Sequence, residues 1–257
     1  MFGNENPNMI VPTAPAGDSS NRAASTAFVI SNLPTSKNLS VVKQIFTGSG
    51  TYTPTSGMVY CIIECVGGGG GGGGVAGASA FYLGGGGGGG GNYSRLIASA
   101  ATIGASQVVT IGTSGTGGLA GLNSGIAGGD TSVGAICIGK GGSFGVGASS
   151  AGNANPGTGG VAGTGDITMP GQSGAVGMYV SVGATGVSFI SYGGSGGNSL
   201  MGVGGVNGPN ASSGATGAAG QNYGGGGAGG VAANIASNFA GGAGAAGVVF
   251  ITEYVYK

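Results

Sequence analysis

Two apolar blocks frame the chain. Residues 58–66 (MVYCIIECV) and 248–256 (VVFITEYVY) are runs of β-branched and aromatic residues that alternate outward and inward positions, with Glu64 and Glu253 among them. Such runs read as strands. A shorter strand is predicted around Gly50–Pro54, with a turn at Ser56-Gly57 before the first long block. The long blocks lie on either side of residues 67–247, where apolar alternation gives way to glycine. They are expected to pair with each other and close one end of whatever lies between.

The glycine region has a period of three. It runs through Gly112, Gly115, Gly118 and Gly121; Gly139, Gly142 and Gly145; Gly157, Gly160 and Gly163; Gly171, Gly174 and Gly177. It resumes at Gly202, Gly205 and Gly208, then at Gly214, Gly217 and Gly220, then at Gly224, Gly227 and Gly230, and last at Gly241, Gly244 and Gly247. The unbroken runs 67–74 and 84–91 satisfy the rule trivially. Three is the period of polyproline II, a helix with no internal hydrogen bonds. A bare glycine edge lets a neighbouring backbone approach and satisfy the exposed N–H and C=O groups. Collagen has the same period but needs an unbroken, proline-rich repeat. Here each register resets after three or four triplets and the chain holds only 8 prolines. The expected fold is therefore mainly irregular and all-β: a bundle of about ten short polyproline II segments flanked by a few strands.

Composition sharpens this. Glycine accounts for 69 of 257 residues, against a usual share of about 7%, while six basic and six acidic residues leave no net charge. A charge-poor, glycine-rich chain is often disordered, but the strand blocks and the apolar balance argue for order. Neutrality removes the electrostatic case for nucleic acid. No apolar run is long enough to span a bilayer, and the first thirty residues show no leader. Residues 1–46 are less glycine-rich and hold Glu5, Asp18, Arg22, Lys37 and Lys43. They read as a separate segment with a short helix capped by Asp18 or Ser19 and ended by Pro34. Residues 47–257 form the glycine domain.

Catalytic and metal chemistry is poorly supplied. GxGxxG matches are expected by chance at this glycine content, and none is followed by a helix and a downstream acid. GAICIGKG at 134–141 lacks the Ser or Thr of a phosphate loop and reads as a strand entering a turn with a surface lysine, Lys140. A glycan-cleaving site needs paired carboxylates, and Asp130 and Asp166 are the only acids between Glu64 and Glu253. Asp130 reads as a turn or cap residue. Cys61 and Cys65, about 13 Å apart along one strand, are too distant for a disulfide; Cys137 reads as a small buried residue. With no histidine, no metal or cofactor is expected.

The register resets are connecting loops of contrasting chemistry. Residues 75–83, 178–192 and 231–240 carry aromatic, methionine and aliphatic side chains; 148–156 and 198–201 are smaller and more polar. Rigid scaffolds that present varied loops are a common arrangement for recognition. Phe81, Tyr82, Tyr179, Phe189, Tyr192 and Phe239 are the candidate binding residues. The competing reading for each is a cap on a bundle end or a filler of a contact between chains.

From Phe46 onward the order of pieces resembles the glycine-rich domain of bacteriophage tail fibres: FTGSGTYTP, a strand, two glycine runs leading into NYSR, VVTIGTSGTGG, GGD, PGQSG and the ending GGAGAAGVVFITEYVYK. Residues 17–29 (GDSSNRAASTAFV) are similar to the short repeat that precedes distal fibre parts. The architecture is also similar to the tip adhesins of T-even-like phages. The resemblance implies a homotrimer joined to tail or baseplate proteins through its N-terminal segment, recognising a bacterial surface protein or polysaccharide without catalysis. It implies a virion protein made in the host cytoplasm and released by lysis. The alternatives are a purely structural glycine-rich protein, ice-binding bundles included, and a capsule-degrading tail enzyme.

Overall fold

The computed structural model describes residues 38–150, 152–181, 190–207 and 213–256, and its main unit runs from Val41 to Val255. The helix expected after Asp18 lies outside the described residues.

The protein is mainly β-structure. In chain order the strands are β1 (Leu39–Phe46), β2 (Gly50–Tyr52), β3 (Met58–Val66), β4 (Phe81–Gly84), β5 (Tyr93–Ser99), β6 (Gln107–Thr110), β7 (Thr131–Val133) and β8 (Cys137–Gly139). Then come β9 (Ile167–Met169), β10 (Tyr179–Ser181), β11 (Gly202–Val203), β12 (Gly214–Ala215), β13 (Gln221–Asn222), β14 (Val231–Ala233) and β15 (Val248–Tyr256). The only helix among the described residues is one turn, α1 (Ala100–Ile103), capped by the Ser99 hydroxyl accepting from Thr102 N at 3.2 Å.

The two framing blocks pair as the pattern requires. β15 runs antiparallel to β3 from Val248 opposite Val66, and β5 flanks β3 on its other side. The sheet order is β1-β15-β3-β5-β9. β1, placed with the N-terminal segment by composition, is thus an edge strand of this sheet. β2 and β3 do not form a hairpin: the turn at Gly57, with φ +84, sends β2 to a second sheet, β2-β6-β7-β8. The sheets enclose a core of Tyr52, Cys61, Ile63, Cys65, Val109, Val133, Cys137, Val249 and Ile251. Cys61, Cys65 and Cys137 are all buried free thiols. Cys137 Sγ donates to Ser94 O at 3.6 Å.

One carboxylate enters this core. Glu253 is fully buried and accepts from Tyr52 Oη at 2.8 Å, Thr55 N at 3.0 Å and Thr55 Oγ1 at 2.5 Å. Burial raises its pKa, but these donors hold it below the ordinary carboxylate value. The Tyr52 phenol moves upward, first from burial and then from donating to Glu253.

Between this sandwich and the far loops the chain shuttles back and forth as glycine segments bonded through their backbones. Along 67–74 the partner changes at every residue and recurs every third. Gly67, Gly70 and Gly73 donate to Asn92, Gly89 and Gly86; Gly68, Gly71 and Gly74 to Gly129, Ile126 and Asn123; Gly69 and Gly72 to Ala245 and Gly242. The carbonyls rotate in the same way, accepting from segments near 142–148, 115–121 and 227–230. Six neighbours therefore surround the segment. Residues 84–91 are surrounded likewise by segments near 140–146, 172–178, 224–230, 157–160, 194–197 and 70–73. Residues 224–230 are surrounded by those near 70–73, 85–91, 194–197, 205, 218 and 242–245.

The glycine pattern follows from position in this lattice. A segment enclosed on every side has no direction left for a side chain. At Gly71 a Cβ would overlap the Thr116 carbonyl, and at Gly73 that of Val146. The enclosed segments are accordingly 67–74, 84–91 and 224–230, all glycine apart from Ala228. A peripheral segment turns one edge inward and needs glycine only there. Gly115 and Gly118 donate to Gly69 O and Gly72 O, while Thr113 and Thr116 between the buried glycines are exposed. Apolar burial adds little here; the lattice rests on paired backbone groups, each contributing about 0.5–1.5 kcal/mol net.

Candidate functional site

The described parts of four of the connecting loops named by the sequence, 75–83, 148–156, 178–192 and 231–240, meet at the end of the lattice away from the two-sheet sandwich. β4, from the loop at 75–83, pairs with β10 on one side and β14 on the other, and β12 extends the sheet beyond β14. Val75 bridges to both Ala148 and Phe239, which joins two further loops to the first. Val75, Leu83, Ala148, Ala154 and Ala232 are buried together beneath them. The 198–201 turn is elsewhere: Met201 packs on Val66, Tyr93 and Val248 at the sandwich end.

Asparagine side chains tie one loop to another. Asn234 Oδ1 accepts from Ala80 N at 2.7 Å, Asn238 Oδ1 from Gly77 N at 3.2 Å, and Asn153 Oδ1 from Tyr179 N at 2.9 Å. Asn207 bridges two segments, donating to Gly229 O at 2.6 Å and accepting from Ala218 N at 2.8 Å. Ala80 and Asn234 both have positive φ, +68 and +51, so the contact joins two tight turns. Each bond satisfies a backbone group that a loop would otherwise leave to water.

The aromatic candidates divide. Phe81 and Tyr179 face each other with ring centroids 6.0 Å apart and pack, half-buried, on the Val75–Leu83 cluster. Phe239 joins that cluster and lays its ring over Gly214. Phe81, Tyr179 and Phe239 thus hold the loop platform together, and Tyr82 is buried, only 3% exposed. Tyr192 is exposed beside Met178 and Ile190, and Phe189 lies outside the described residues.

Sequence reasoning passed over the turn at 119–124. Gly118 N bonds Gly72 O and Gly121 N bonds Val75 O, which places this turn beside the 75–83 loop. Its leucines Leu119 and Leu122 are exposed, Leu119 at 76%. The available signal was a pair of leucines (GLAGL) inside a glycine run, where the period of three drew attention to the glycines instead.

The acids are engaged elsewhere. Asp130 accepts from Lys140 Nζ at 2.7 Å and Gly141 N at 2.9 Å; burial opposes its ionisation, yet these partners lower its pKa. Asp166 accepts from Ile97 N at 2.8 Å. Among the described residues no three His, Cys, Asp or Glu side chains gather as a metal site would require.

Residues 45–254 match the family of the glycine-rich domain, and the chain belongs to that family. No curated protein matches the chain.

Proposed function

We propose that this protein is a non-enzymatic tail fibre, or fibre tip, of a tailed bacteriophage that recognises a receptor on the bacterial surface. The observation that carries the reading is the gathering of loops 75–83 and 231–240 with Ala148, Ala154, Tyr179 and Tyr192 at one end of the lattice. Side chain to backbone bonds such as Asn234 to Ala80 at 2.7 Å tie them together. Pre-organised loops on a stiff support lose little freedom on binding. The first and last strands lie in the sandwich at the other end, which suits attachment there and presentation here. On this reading residues 1–46 join the particle's tail or baseplate proteins, and the fibre is a homotrimer carried in the virion.

The lattice segments on this reading are polyproline II helices. A partner that recurs every third residue, with no bond inside the segment, matches three residues per turn and a solvating neighbour on each face. An eight-residue run such as 67–74 would then span about 25 Å. The engagement of Asp130 by Lys140 and of Asp166 by Ile97 N supports a role without catalysis.

Adsorption of the purified chain to susceptible and resistant bacteria tests the proposal. Selective binding to susceptible cells, altered by exchanging 178–192, is expected. Binding to neither, with an unchanged host range after the exchange, would refute it. Release of reducing ends from capsule would refute the non-enzymatic part.

A further inference from the structure

Two of the three thiols are neighbours across the sandwich. Cys65 on β3 and Cys137 on β8 are both fully buried and free. Cys65 Sγ donates to Cys137 O at 3.6 Å. Cys137 Sγ in turn reaches Ser94 O at 3.6 Å and Ile63 O at 4.0 Å. Ser94 is the residue paired with Cys65 across β5 and β3, and Ile63 lies two positions before Cys65 on the same face of β3. Each sulfur thus points at the strand, or the strand pair, that carries the other. Cys61 stands apart from this contact, with Tyr52 and Glu253 acting on it instead.

The pair sits at the root of the lattice. β3 ends at Val66 and runs into segment 67–74; β8 ends at Gly139 and runs into the segment at 140–147. Those two segments are bonded to each other, Gly142 N to Gly68 O and Gly145 N to Gly71 O, each at 2.9 Å. A bond between the cysteines would hold both strands where they enter the lattice. The two residues are 72 apart in sequence, and closing a loop of that length removes much freedom from the unfolded chain. Contact with the Cys137 side chain and burial both push the Cys65 thiol upward. The closed sandwich therefore keeps it protonated and out of reach of an oxidant. The pair can be joined only while the sandwich is open or still closing.

We infer that Cys65 and Cys137 form a redox-set staple between the two sheets. Where the sandwich closes in a medium that holds a small disulfide such as oxidised glutathione, the pair becomes a disulfide; where it closes among reduced thiols, the pair stays free. The reaction is thiol–disulfide exchange. One cysteine thiolate attacks the small disulfide and releases one small thiolate. The second cysteine thiolate attacks the protein sulfur of the mixed disulfide and releases the other. Two protein thiols are oxidised, one small disulfide is reduced to two thiols, and the cysteine protons pass to the departing thiolates. The sulfurs close to about 2.05 Å by rotation of the two side chains. The staple concerns the sandwich alone and stands or falls independently of receptor recognition.

The test unfolds the full chain in urea and refolds it with reduced glutathione alone, or with a mixture of reduced and oxidised glutathione. Returned to denaturant, the first sample is expected to show all three cysteines as free thiols. The second is expected to show only Cys61, in a chain two hydrogens lighter, and a peptide map without reductant joins Cys65 to Cys137. The joined chain is expected to melt roughly 5–15 °C higher than the free one. Cys61→Ala leaves the link in place and Cys137→Ala abolishes it. Three free thiols in the second sample, a link that includes Cys61, or a joined chain that melts no higher than the free one overturns the inference. Chain produced in an oxidising and in a reducing expression compartment gives the same comparison without refolding, so it decides the matter where refolding fails.

Discussion

The carbonyl oxygen of Ala228 stands where a side chain on Gly72 would have to go. The neighbour is backbone, and Gly242 N already bonds that same oxygen at 2.8 Å. Relief requires moving a whole segment, not rotating a side chain. Gly72→Ala is therefore expected to cost at least about 3 kcal/mol, the upper end for overpacking. Gly48→Ala, with open space around it, is expected to change stability by less than about 0.5 kcal/mol. Urea denaturation of the two variants makes the comparison. Equal stability would mean that segment 67–74 is not enclosed.

Glu253 makes stability depend on acid. Its folded pKa lies below the ordinary 4.5, so the native state binds the proton less readily than the unfolded chain. The contribution is fully present above the unfolded value and is lost as pH falls through the lowered folded value. Tyr52→Phe removes one hydrogen bond to the carboxylate and is expected to cost about 1.5–3 kcal/mol at neutral pH. In Glu253→Gln the acid-dependent loss shrinks while stability at neutral pH falls. Thermal melts between pH 7 and pH 3 check both; an unchanged acid profile in the glutamine variant contradicts the assignment.

Asn234 holds two loops rather than a core. Asn234→Ala gives up the 2.7 Å bond to Ala80 N and places alanine at φ +51. The expected global cost is modest, about 1–2 kcal/mol. Amide exchange should speed up around 76–81 and stay slow along 84–91. Uniformly faster exchange would show that the pin serves the whole fold instead.

The exposed pair Asp130–Lys140, 2.7 Å apart, should matter little. Lys140→Ala is expected to cost less than about 1 kcal/mol, shrinking further in high salt. A larger, salt-independent loss would place the lysine in a structural role that its exposure does not suggest.

Much of this architecture was legible in the residues. Alternation in 58–66 and 248–256 foretold that β3 and β15 pair, because each block has one face that only a core can cover. The period of three foretold which edge of a peripheral segment faces inward, as at Gly115 and Gly118. The unbroken runs 67–74 and 84–91 said more than a period does: they mark segments enclosed on all sides, a meaning that appears only once the six neighbours are known. The site was less legible. Which loops share an end depends on how many times the chain crosses the lattice, and that is set by backbone bonds between segments far apart in sequence. Burial of Tyr82 and packing of Phe81, Tyr179 and Phe239 follow from strand pairing among β4, β10 and β14. Leu119 and Leu122 escaped notice because leucine in a loop carries no chemical signature until its exposure is seen.

The most direct measurement is hydrogen exchange on the whole protein, free and bound to envelopes of a susceptible bacterium. Protection is expected at 75–83, 119–124, 178–192 and 231–240, with the exposed edge strands β1 and β9 unchanged. Protection confined to β1, β9 or the sandwich, with the loop end exchanging as in the free protein, would contradict recognition by the loops.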